Sequence, residues 1–232
     1  LPLSILFVNV IPIFKKGEHS SACNYRPVSL TSVVCKIMES VIKDAVLDHL
    51  LGNNLLNLSQ FGFLPKRSCV SNLLHFLDEV THDIDDGHNV DVIYLDFQKA
   101  FDKVPLHRLM LKTKSLGVSG NCVNWIDSWL SGRSQRVVVN GEISSWMDVT
   151  SGVPQGSVLG PLLFLIFIND LDAGLDSSIC KFADDTKLYR KIDSSTDSAG
   201  LQSDLDKLVE WSHKWQMSFN VGKCKVVHFG SK

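Results

Sequence analysis

Two adjacent carboxylates end the stretch Phe182-Ala183-Asp184-Asp185. Segments 179–182 and 187–192, on either side of it, are rich in β-forming residues, and Asp side chains favour turns. The pattern predicts a strand, a turn over residues 183–186 and a second strand, with the carboxylates at the tip. An isolated Asp-Asp pair is more often a solvated turn than a metal site, so its interpretation depends on the rest of the chain.

A further candidate carboxylate follows an apolar run earlier in the chain, Val92-Ile93-Tyr94-Leu95-Asp96. A continuous apolar run of this length is typical of a strand buried on both faces. Carboxylates gathered at strand ends repel one another unless a cation lies between them, and Mg²⁺ prefers a few carboxylates together with waters and substrate phosphates. The sequence therefore predicts a metal site formed by Asp96, Asp184 and Asp185.

A glycine-rich loop lies between these carboxylates, over residues 151–161. Gly152, Gly156 and Gly160 permit close backbone approach to a ligand, and the amide of Gln155 can both donate and accept hydrogen bonds. The loop has neither the Gly-Lys-Ser/Thr of a Walker loop nor a dinucleotide fingerprint. It is therefore either a ligand-binding loop or an ordinary loop before a helix.

Other segments accompany these motifs in a fixed order, namely IPIFKKG (11–17), NYRPVSL (24–30), QFGFLPKRS (60–68), YLDFQKAFD (94–102) and NVGKCK (220–225). The series resembles the fingers and palm of a reverse transcriptase of the non-LTR (LINE-type) retrotransposon family. The resemblance implies an α+β right-hand polymerase fold, in which a small antiparallel catalytic sheet packs on helices and the thumb is missing. It implies one domain over residues 11–232, with fingers at about 11–90 and palm at about 91–232, and leaves residues 1–10 as an unassigned leading segment.

The resemblance also implies an RNA-directed DNA polymerase that adds deoxynucleoside triphosphates to a primer 3′-hydroxyl with two Mg²⁺ ions, for which Mn²⁺ can substitute. Asp96 and Asp184 match the palm carboxylates that hold the metals, and Asp185 matches a carboxylate with a more indirect contribution. Lys223 matches a lysine proposed to protonate pyrophosphate. Its neighbour Lys225 is an alternative cation, and the alternating segment 223–229 also suits an ordinary surface strand.

Five residues match nucleotide-binding positions of the family. Lys15 and Arg26 correspond to fingers residues that close over the triphosphate, where a guanidinium binds phosphate oxygens at two points; a lysine pair at 15–16 also suits a solvated loop. Phe101 corresponds to the aromatic residue that excludes a ribose 2′-hydroxyl, with core packing as the alternative. Gln155 and Gly156 correspond to loop residues that contact the nucleotide and the template base.

Hydrophobic periodicity places helices around these motifs. It predicts helices over residues 32–51, 70–84, 125–130 and 201–215, and a buried helix over 162–168. The helix over 32–51 is predicted to be amphipathic, with an apolar stripe that includes Val33, Ile37, Val41 and Val46. Asn140-Gly141 predicts a hairpin between strands at 135–139 and 142–146. The polar segment 193–200 is expected to be a surface loop, and the helical phasing of the tryptophans favours core packing over base stacking.

Composition excludes several classes of protein. The chain has 232 residues, 44% of them hydrophobic, and a net charge of −2, which indicates a globular domain without the basic surplus of a typical nucleic-acid binder. The six cysteines have neither zinc-site spacing nor the density of a disulfide framework, which favours a reducing compartment. The apolar run at 162–168 is too short for a membrane span, which needs about 20 residues.

The implied partners are an RNA template, a DNA primer and deoxynucleoside triphosphates, with no membrane. Missing thumb and endonuclease domains are expected to belong to a longer polyprotein, and the resemblance implies cytoplasmic and nuclear compartments. The alternatives are an inactive retroelement remnant, a co-opted nucleic-acid-binding module, and a group II intron or telomerase-type enzyme with the same chemistry. Intact candidate catalytic residues favour activity, whereas the missing thumb and the near-neutral charge favour a remnant.

Overall fold

The computed structural model describes residues 6–230, and the chain divides into two compact units. The first unit comprises the chain up to Leu55 together with Phe101–Phe167, and the second comprises Leu56–Ala100 together with the chain from Ile168 onward. The expected division into fingers at 11–90 and palm at 91–232 stays a prediction. Within residues 6–230, no helix has the length and apolar character needed to cross a membrane.

Helices and strands both contribute to each unit. The strands are β1 Phe7–Phe14, β2 Tyr25–Leu30, β3 Asn89–Leu95, β4 Ser134–Val139, β5 Glu142–Ile143, β6 Met147–Asp148, β7 Ser178–Phe182, β8 Asp185–Ile192 and β9 Lys225–Phe229. The helices are α1 Val33–Gly52, α2 Cys69–Asp85, α3 Ala100–Lys103, α4 Leu106–Ser115, α5 Gly120–Leu130, α6 Gly160–Phe167 and α7 Ser195–Trp215. A short 3-10 helix occupies Ala22–Asn24.

The second unit is built on an antiparallel sheet with strand order β7-β8-β3-β9. The central strand β3 buries Val90 and Val92 completely, as its continuous apolar run predicted. Phe76 of α2 and Tyr189 of β8 pack with these valines in one core cluster, and α7 packs on β8. The expected small antiparallel sheet packed on helices is therefore present in this unit.

The first unit has a mixed sheet with strand order β2-β1-β4-β5, in which β1 runs antiparallel to β2 and parallel to β4. Phe7 of β1 pairs with Ser134, so a strand begins within the segment that the sequence left unassigned, of which residues 1–5 lie outside the described chain. The buried helix predicted over 162–168 is α6, whose Leu163 and Phe164 are fully buried.

Helix α7 begins earlier than the sequence predicted. Segment 193–200 was expected to be a surface loop, but the helix starts at Ser195. The reason is a capping box, in which Asp197 Oδ2 accepts the Ser194 backbone N–H at 3.0 Å. Hydrogen bonds from the Ser194 side chain and neighbouring backbone hold the pKa of Asp197 below its ordinary value. The cap makes a polar first turn helical.

The predicted hairpin at Asn140-Gly141 forms, but its second arm is shorter than expected. Asn140 and Gly141 have φ angles of 49° and 89°, as a tight primed turn requires. The arm expected over 142–146 ends at Ile143. The Ser144 N–H still donates to the Val137 carbonyl at 3.0 Å, but the Val137 N–H donates to Ser144 Oγ at 2.9 Å and not to a backbone carbonyl. Strand β6 then pairs with the beginning of β4.

Helix α1 agrees with the predicted extent but not with the expected buried face. Val33, Ile37 and Val41 were part of the expected apolar stripe, yet they are 74%, 61% and 65% exposed. The buried positions of the helix are Cys35, Glu39, Val46 and Leu50. A buried charged residue on this face indicates a specific partner within the first unit.

Candidate active site

The central strand and the Asp-Asp hairpin end at the same edge of the second unit's sheet. Leu95 of β3 pairs with Thr186 of β8 in an antiparallel register. Asp96 comes directly after Leu95, and Asp184 and Asp185 come directly before Thr186. All three carboxylates therefore lie at the same end of the paired strands. The fold therefore places the three predicted carboxylates at one end of one sheet.

The turn that carries the carboxylate pair is shorter than predicted. Phe182 pairs directly with Asp185, so the turn consists of Ala183 and Asp184, and the expected turn over 183–186 is wrong at its second half. Two-residue turns match the twist of antiparallel strands. As a result Asp184 lies at the tip, whereas Asp185 is the exposed first residue of β8.

A cleft of about 360 Å³ opens beside this end of the sheet, entirely within the second unit. Two of the predicted carboxylates and the predicted lysine line it, namely Asp96, Asp185 and Lys223. Tyr94 of β3 also lines the cleft, and its partial burial raises the pKa of its hydroxyl. The structure thus brings candidate catalytic residues from three sequence motifs to one concave surface.

Lys223 contacts Asp96 directly. Its ammonium nitrogen lies 2.8 Å from Asp96 Oδ2, and the two side chains are 54% and 30% exposed. A backbone hydrogen bond of 2.7 Å from the Asn220 N–H to the Asp96 carbonyl fixes the turn in which Lys223 lies. Lys225, the alternative cation, lies on β9 and pairs with Tyr94. The geometry favours Lys223 as the cation beside the carboxylate.

The donor set fits a metal that is shared with a phosphate substrate. Over residues 6–230, no three His, Cys, Asp or Glu side chains gather closely enough to hold a metal by themselves. Mg²⁺ is usually bound by one or two carboxylates, with waters and substrate phosphates completing its shell. Asp96 and Asp185 line the cleft and Asp184 lies in the adjacent turn, so carboxylates of this kind are present, and Asp96 already pairs with the Lys223 ammonium.

A buried ion pair anchors the strand that leads into the turn. Lys181 Nζ lies 3.0 Å from Asp172 Oδ1, and the side chains are 0% and 7% exposed. Burial lowers the pKa of Lys181, and the Asp172 carboxylate opposes this shift. Asp172 also accepts hydrogen bonds from Asn57 Nδ2 at 2.8 Å and Ser59 Oγ at 2.6 Å. Removing one partner would leave a buried charge uncompensated, so the pair holds β7 in place.

The glycine-rich loop belongs to the first unit and is tied to it by backbone contacts. Gln155 accepts the Ser29 N–H at 2.7 Å through its backbone carbonyl, and its side-chain Nε2 donates to Asp102 Oδ1 at 2.9 Å. Gly156 has a φ of 96°, and a Cβ there would lie 2.7 Å from the Ser29 carbonyl oxygen. Only glycine fits this position, which explains one glycine of the motif.

Glu39 supports the same loop and was not identified as a functional candidate from the sequence. Its carboxylate is fully buried and accepts the backbone N–H groups of Val158 and Leu159 at 2.6 and 3.0 Å. It also accepts a hydrogen bond from the Cys35 thiol, and burial followed by this contact raises the pKa of that thiol to about 12. Glu39 lies on the same helical face as Cys35 and Val46, and a single Glu among apolar residues on one face is the signal that could have identified it.

Phe101 is half-buried in the first unit, where its ring stacks on Phe164 of α6 with centroids 4.5 Å apart. Its carbonyl accepts the Val153 N–H at 2.8 Å, so Phe101 is attached to the glycine-rich loop. The contact with Phe164 is the packing that the alternative interpretation expected. It also fixes the ring orientation, which a selective aromatic residue needs.

Lys15 and Arg26 lie on the hairpin formed by β1 and β2, and both are exposed. Arg26 pairs with Ile13 across the hairpin, and the Lys15 N–H donates to the Asn24 carbonyl at 2.8 Å. These two residues, like Phe101 and the loop glutamine, belong to the first unit, whereas the carboxylates and Lys223 belong to the second.

Comparison with known proteins gives closely related sequences. The family model described as reverse transcriptase (RNA-dependent DNA polymerase) matches residues 13–231. The chain is 34% identical to the RNA-directed DNA polymerase from mobile element jockey of Drosophila funebris, over 95% of this chain and 25% of the relative. It is 30% identical to the probable RNA-directed DNA polymerase from transposon X-element of Drosophila melanogaster, again over 95% and 25%. The chain therefore spans about a quarter of these relatives.

Solved structures show the same fold at low sequence identity. Apo telomerase from Candida tropicalis, truncated from its C-terminal domain, superimposes with a TM-score of 0.72 and 11% identity, over 98% of this chain and 51% of that chain. A second structure of apo telomerase from Candida tropicalis gives a TM-score of 0.69 at 12% identity, over 98% of this chain and 45% of that chain. The expected α+β right-hand polymerase fold is confirmed.

Proposed function

Because the chain belongs to the reverse transcriptase (RNA-dependent DNA polymerase) family, we propose that it is the polymerase core of a non-LTR retrotransposon enzyme. This core extends a DNA primer 3′-hydroxyl with deoxynucleoside triphosphates along an RNA template. One observation carries the proposal: Asp96 and the Asp184-Asp185 hairpin end at the same edge of an antiparallel sheet. Carboxylates placed in this way are the ligands that two-metal nucleotidyl transfer requires.

In this proposal Asp96 and Asp184 hold two Mg²⁺ ions, or Mn²⁺ in their place, and Asp185 contributes more indirectly. When bound, the metals lower the pKa of the primer hydroxyl and neutralise charge on the triphosphate. The protein's own contribution is to present carboxylate oxygens from the end of β3 and from a tight turn. Lys223, whose ammonium lies 2.8 Å from Asp96 Oδ2, donates a proton to the leaving pyrophosphate.

Residues of the first unit recognise the nucleotide. Exposed Arg26 and Lys15 bind the triphosphate, and the guanidinium of Arg26 is suited to two-point contact with phosphate oxygens. Phe101 excludes a 2′-hydroxyl, which its packing on a rigid helix supports. Gln155 and Gly156 contact the nucleotide and the template base from a loop whose backbone is held in place.

The RNA template and the DNA primer bind this chain weakly, and a longer protein would bind them more tightly. The net charge is −2, and phosphate contacts depend on clustered Lys and Arg, so the core alone binds nucleic acid weakly. The chain covers 25% of the jockey relative. We place the thumb and the endonuclease in the remainder of a longer polyprotein of this kind. The thumb would strengthen binding of the template, and the endonuclease would cleave the target.

Primer extension tests the proposal. The assay uses the folded chain, an oligo(dT) primer on a poly(rA) template, Mg²⁺ and dTTP, and compares the wild type with Asp184→Ala. Extension by the wild type that is lost in the variant is expected, because the turn carboxylate is removed without a change in the sheet. If neither protein extends the primer while both bind the primer-template, the chain is an inactive remnant or a nucleic-acid-binding module.

A further inference from the structure

The turn that presents Asp184 has a strained backbone. Ala183 has a positive φ of 54°, whereas the φ of Asp184 is not positive. A two-residue hairpin turn with positive φ at its first position alone is of type II′, and that position is usually glycine. A non-glycine residue keeps such a conformation only where its surroundings hold it. Ala183 is 5% exposed, so its backbone N–H and carbonyl also need partners within the protein.

Gln60 supplies both partners through its side-chain amide. Its Oε1 accepts the Ala183 N–H at 2.8 Å, and its Nε2 donates to the Ala183 carbonyl at 3.3 Å. The same Oε1 accepts the Gly62 N–H at 2.7 Å. Gln60 is only 4% exposed, so these bonds are shielded from competing water. A side-chain amide is the group that offers a donor and an acceptor in this arrangement.

The segment around Gln60 is itself held against β7. The Lys181 N–H donates to the Ser59 carbonyl, and the Phe61 N–H donates to the Lys181 carbonyl, both at 2.8 Å. A Cβ on Gly62 would lie 2.3 Å from the Ala183 nitrogen, so this glycine permits the close approach. The amide of Gln60 therefore acts from a fixed position.

We propose that Gln60 is a positioning residue for the catalytic turn. It does not touch the substrate; it holds the Ala183 backbone so that the carboxylate of Asp184 faces the metal. This inference rests on the proposed function, because it assigns a purpose to the turn. Two residues of the motif QFGF at 60–63 have a physical role in this proposal. The Gln60 amide holds the backbone of the turn, and Gly62 leaves room for the Ala183 backbone to approach.

Two variants separate positioning from folding. Gln60→Leu removes both hydrogen bonds to Ala183, whereas Gln60→Glu keeps an acceptor for the N–H groups and replaces the donor with an oxygen that faces a carbonyl. Gln202→Leu is the matched control, because Gln202 is exposed on α7 and its side-chain amide donates to Asp206 at 2.8 Å, within the same helix. All three proteins are first checked for cooperative thermal unfolding.

The primary readout is Mn²⁺ binding, measured by electron paramagnetic resonance of the free ion, which requires no polymerase activity. We expect Gln60→Leu to weaken binding by about 10- to 100-fold, as for other residues that orient metal ligands, with Gln60→Glu intermediate and Gln202→Leu unchanged. Amide hydrogen exchange at Ala183 provides a second readout, and it should become faster in Gln60→Leu.

The outcomes are distinguishable from failure of the proposed function. If folded Gln60→Leu binds Mn²⁺ as tightly as the wild type and Ala183 exchange is unchanged, the positioning role is wrong. If the wild type binds Mn²⁺ through Asp184 but extends no primer, the proposed activity fails while the role of Gln60 stands. If the wild type binds no Mn²⁺ in the absence of substrate phosphates, amide exchange at Ala183 decides the inference: faster exchange in Gln60→Leu supports it, and unchanged exchange overturns it.

Discussion

Lys223 donates to Asp96 at 2.8 Å, so an ammonium neutralises a carboxylate that is proposed to hold a metal. The two groups are 127 residues apart in the sequence and meet because β9 lies beside β3. The Lys223 ammonium and a metal ion would compete for the same oxygen of Asp96. The pair therefore links metal binding to the position of the proposed proton donor.

Replacement of Lys223 with Met should tighten Mn²⁺ binding by about 2- to 5-fold, since an exposed pair is worth up to about 1 kcal/mol. The same substitution should slow nucleotide incorporation, because the proton donor is lost. Binding is measured by titration, and incorporation by single-turnover kinetics. Lys225→Met is the control, and equal effects of the two substitutions would contradict the assignment of Lys223.

Gly62→Ala should disturb the catalytic turn. The added Cβ would lie 2.3 Å from the backbone nitrogen of Ala183, and backbone cannot move aside as a flexible side chain can. We expect a loss of about 1–3 kcal/mol in the free energy of unfolding, measured by urea denaturation. In Gly222→Ala the nearest atom would be Asn220 Oδ1 at 3.7 Å, so this control should change stability by less than about 0.5 kcal/mol. Equal stability of the two variants would show that the close approach is absent in solution.

Phe101→Ala should relax discrimination against ribonucleotides. Removal of the ring opens space where a 2′-hydroxyl would lie, and we expect the ratio of incorporation efficiencies for dTTP over UTP to fall by roughly 10-fold or more. Phe101→Tyr keeps a ring that can stack on Phe164 and should retain most of the discrimination. A ratio that is unchanged in a folded Phe101→Ala protein would leave core packing as the role of this residue.

Asp204 should make the second unit sensitive to acid. Burial alone would raise its pKa, but hydrogen bonds from Lys207 and from the N–H groups of Asp176 and Ser177 outweigh burial and lower the pKa from 3.8 to about 2. Because the pKa is lower in the folded state, the Asp204 carboxylate stabilises the folded protein at pH values above its unfolded-state pKa. This stabilisation is lost as the pH falls from about 4 towards 2. Because Lys207 is exposed to solvent screening, we expect a contribution on the order of 1–2 kcal/mol.

Asp204→Asn should therefore lower the unfolding free energy at neutral pH and flatten its dependence on pH in this window. Urea unfolding between pH 2 and pH 7 measures both effects. Parallel pH profiles for the variant and the wild type would mean that the Asp204 carboxylate does not contribute in this way.

Signals that are local in sequence predicted the elements that carry the site. The apolar run before Asp96 and the β-forming residues around the Asp-Asp pair identified β3, β7 and β8, because strand burial and turn chemistry depend on neighbouring residues. The length of the turn was not predictable in this way. It depends on the pairing of Phe182 with Asp185 and on support for Ala183 from Gln60, which is distant in sequence.

The buried face of α1 illustrates the same limit. Periodicity located the helix but favoured Val33, Ile37 and Val41, whereas the structure buries Glu39. Its carboxylate is buried because two N–H groups of the glycine-rich loop need an acceptor. Such a requirement arises from tertiary structure, and hydrophobic periodicity carries no information about it.

Single-nucleotide incorporation on an RNA template tests the central claim most directly. A primer is paired to four RNA templates that differ in the next base, and the wild type and Asp96→Asn are each offered all four deoxynucleotides singly, with Mg²⁺ or with EDTA. The account predicts that the wild type adds the complementary nucleotide in Mg²⁺, and that Asp96→Asn and EDTA each abolish addition. Addition that persists in folded Asp96→Asn, or no addition by the folded wild type on any template, would contradict it.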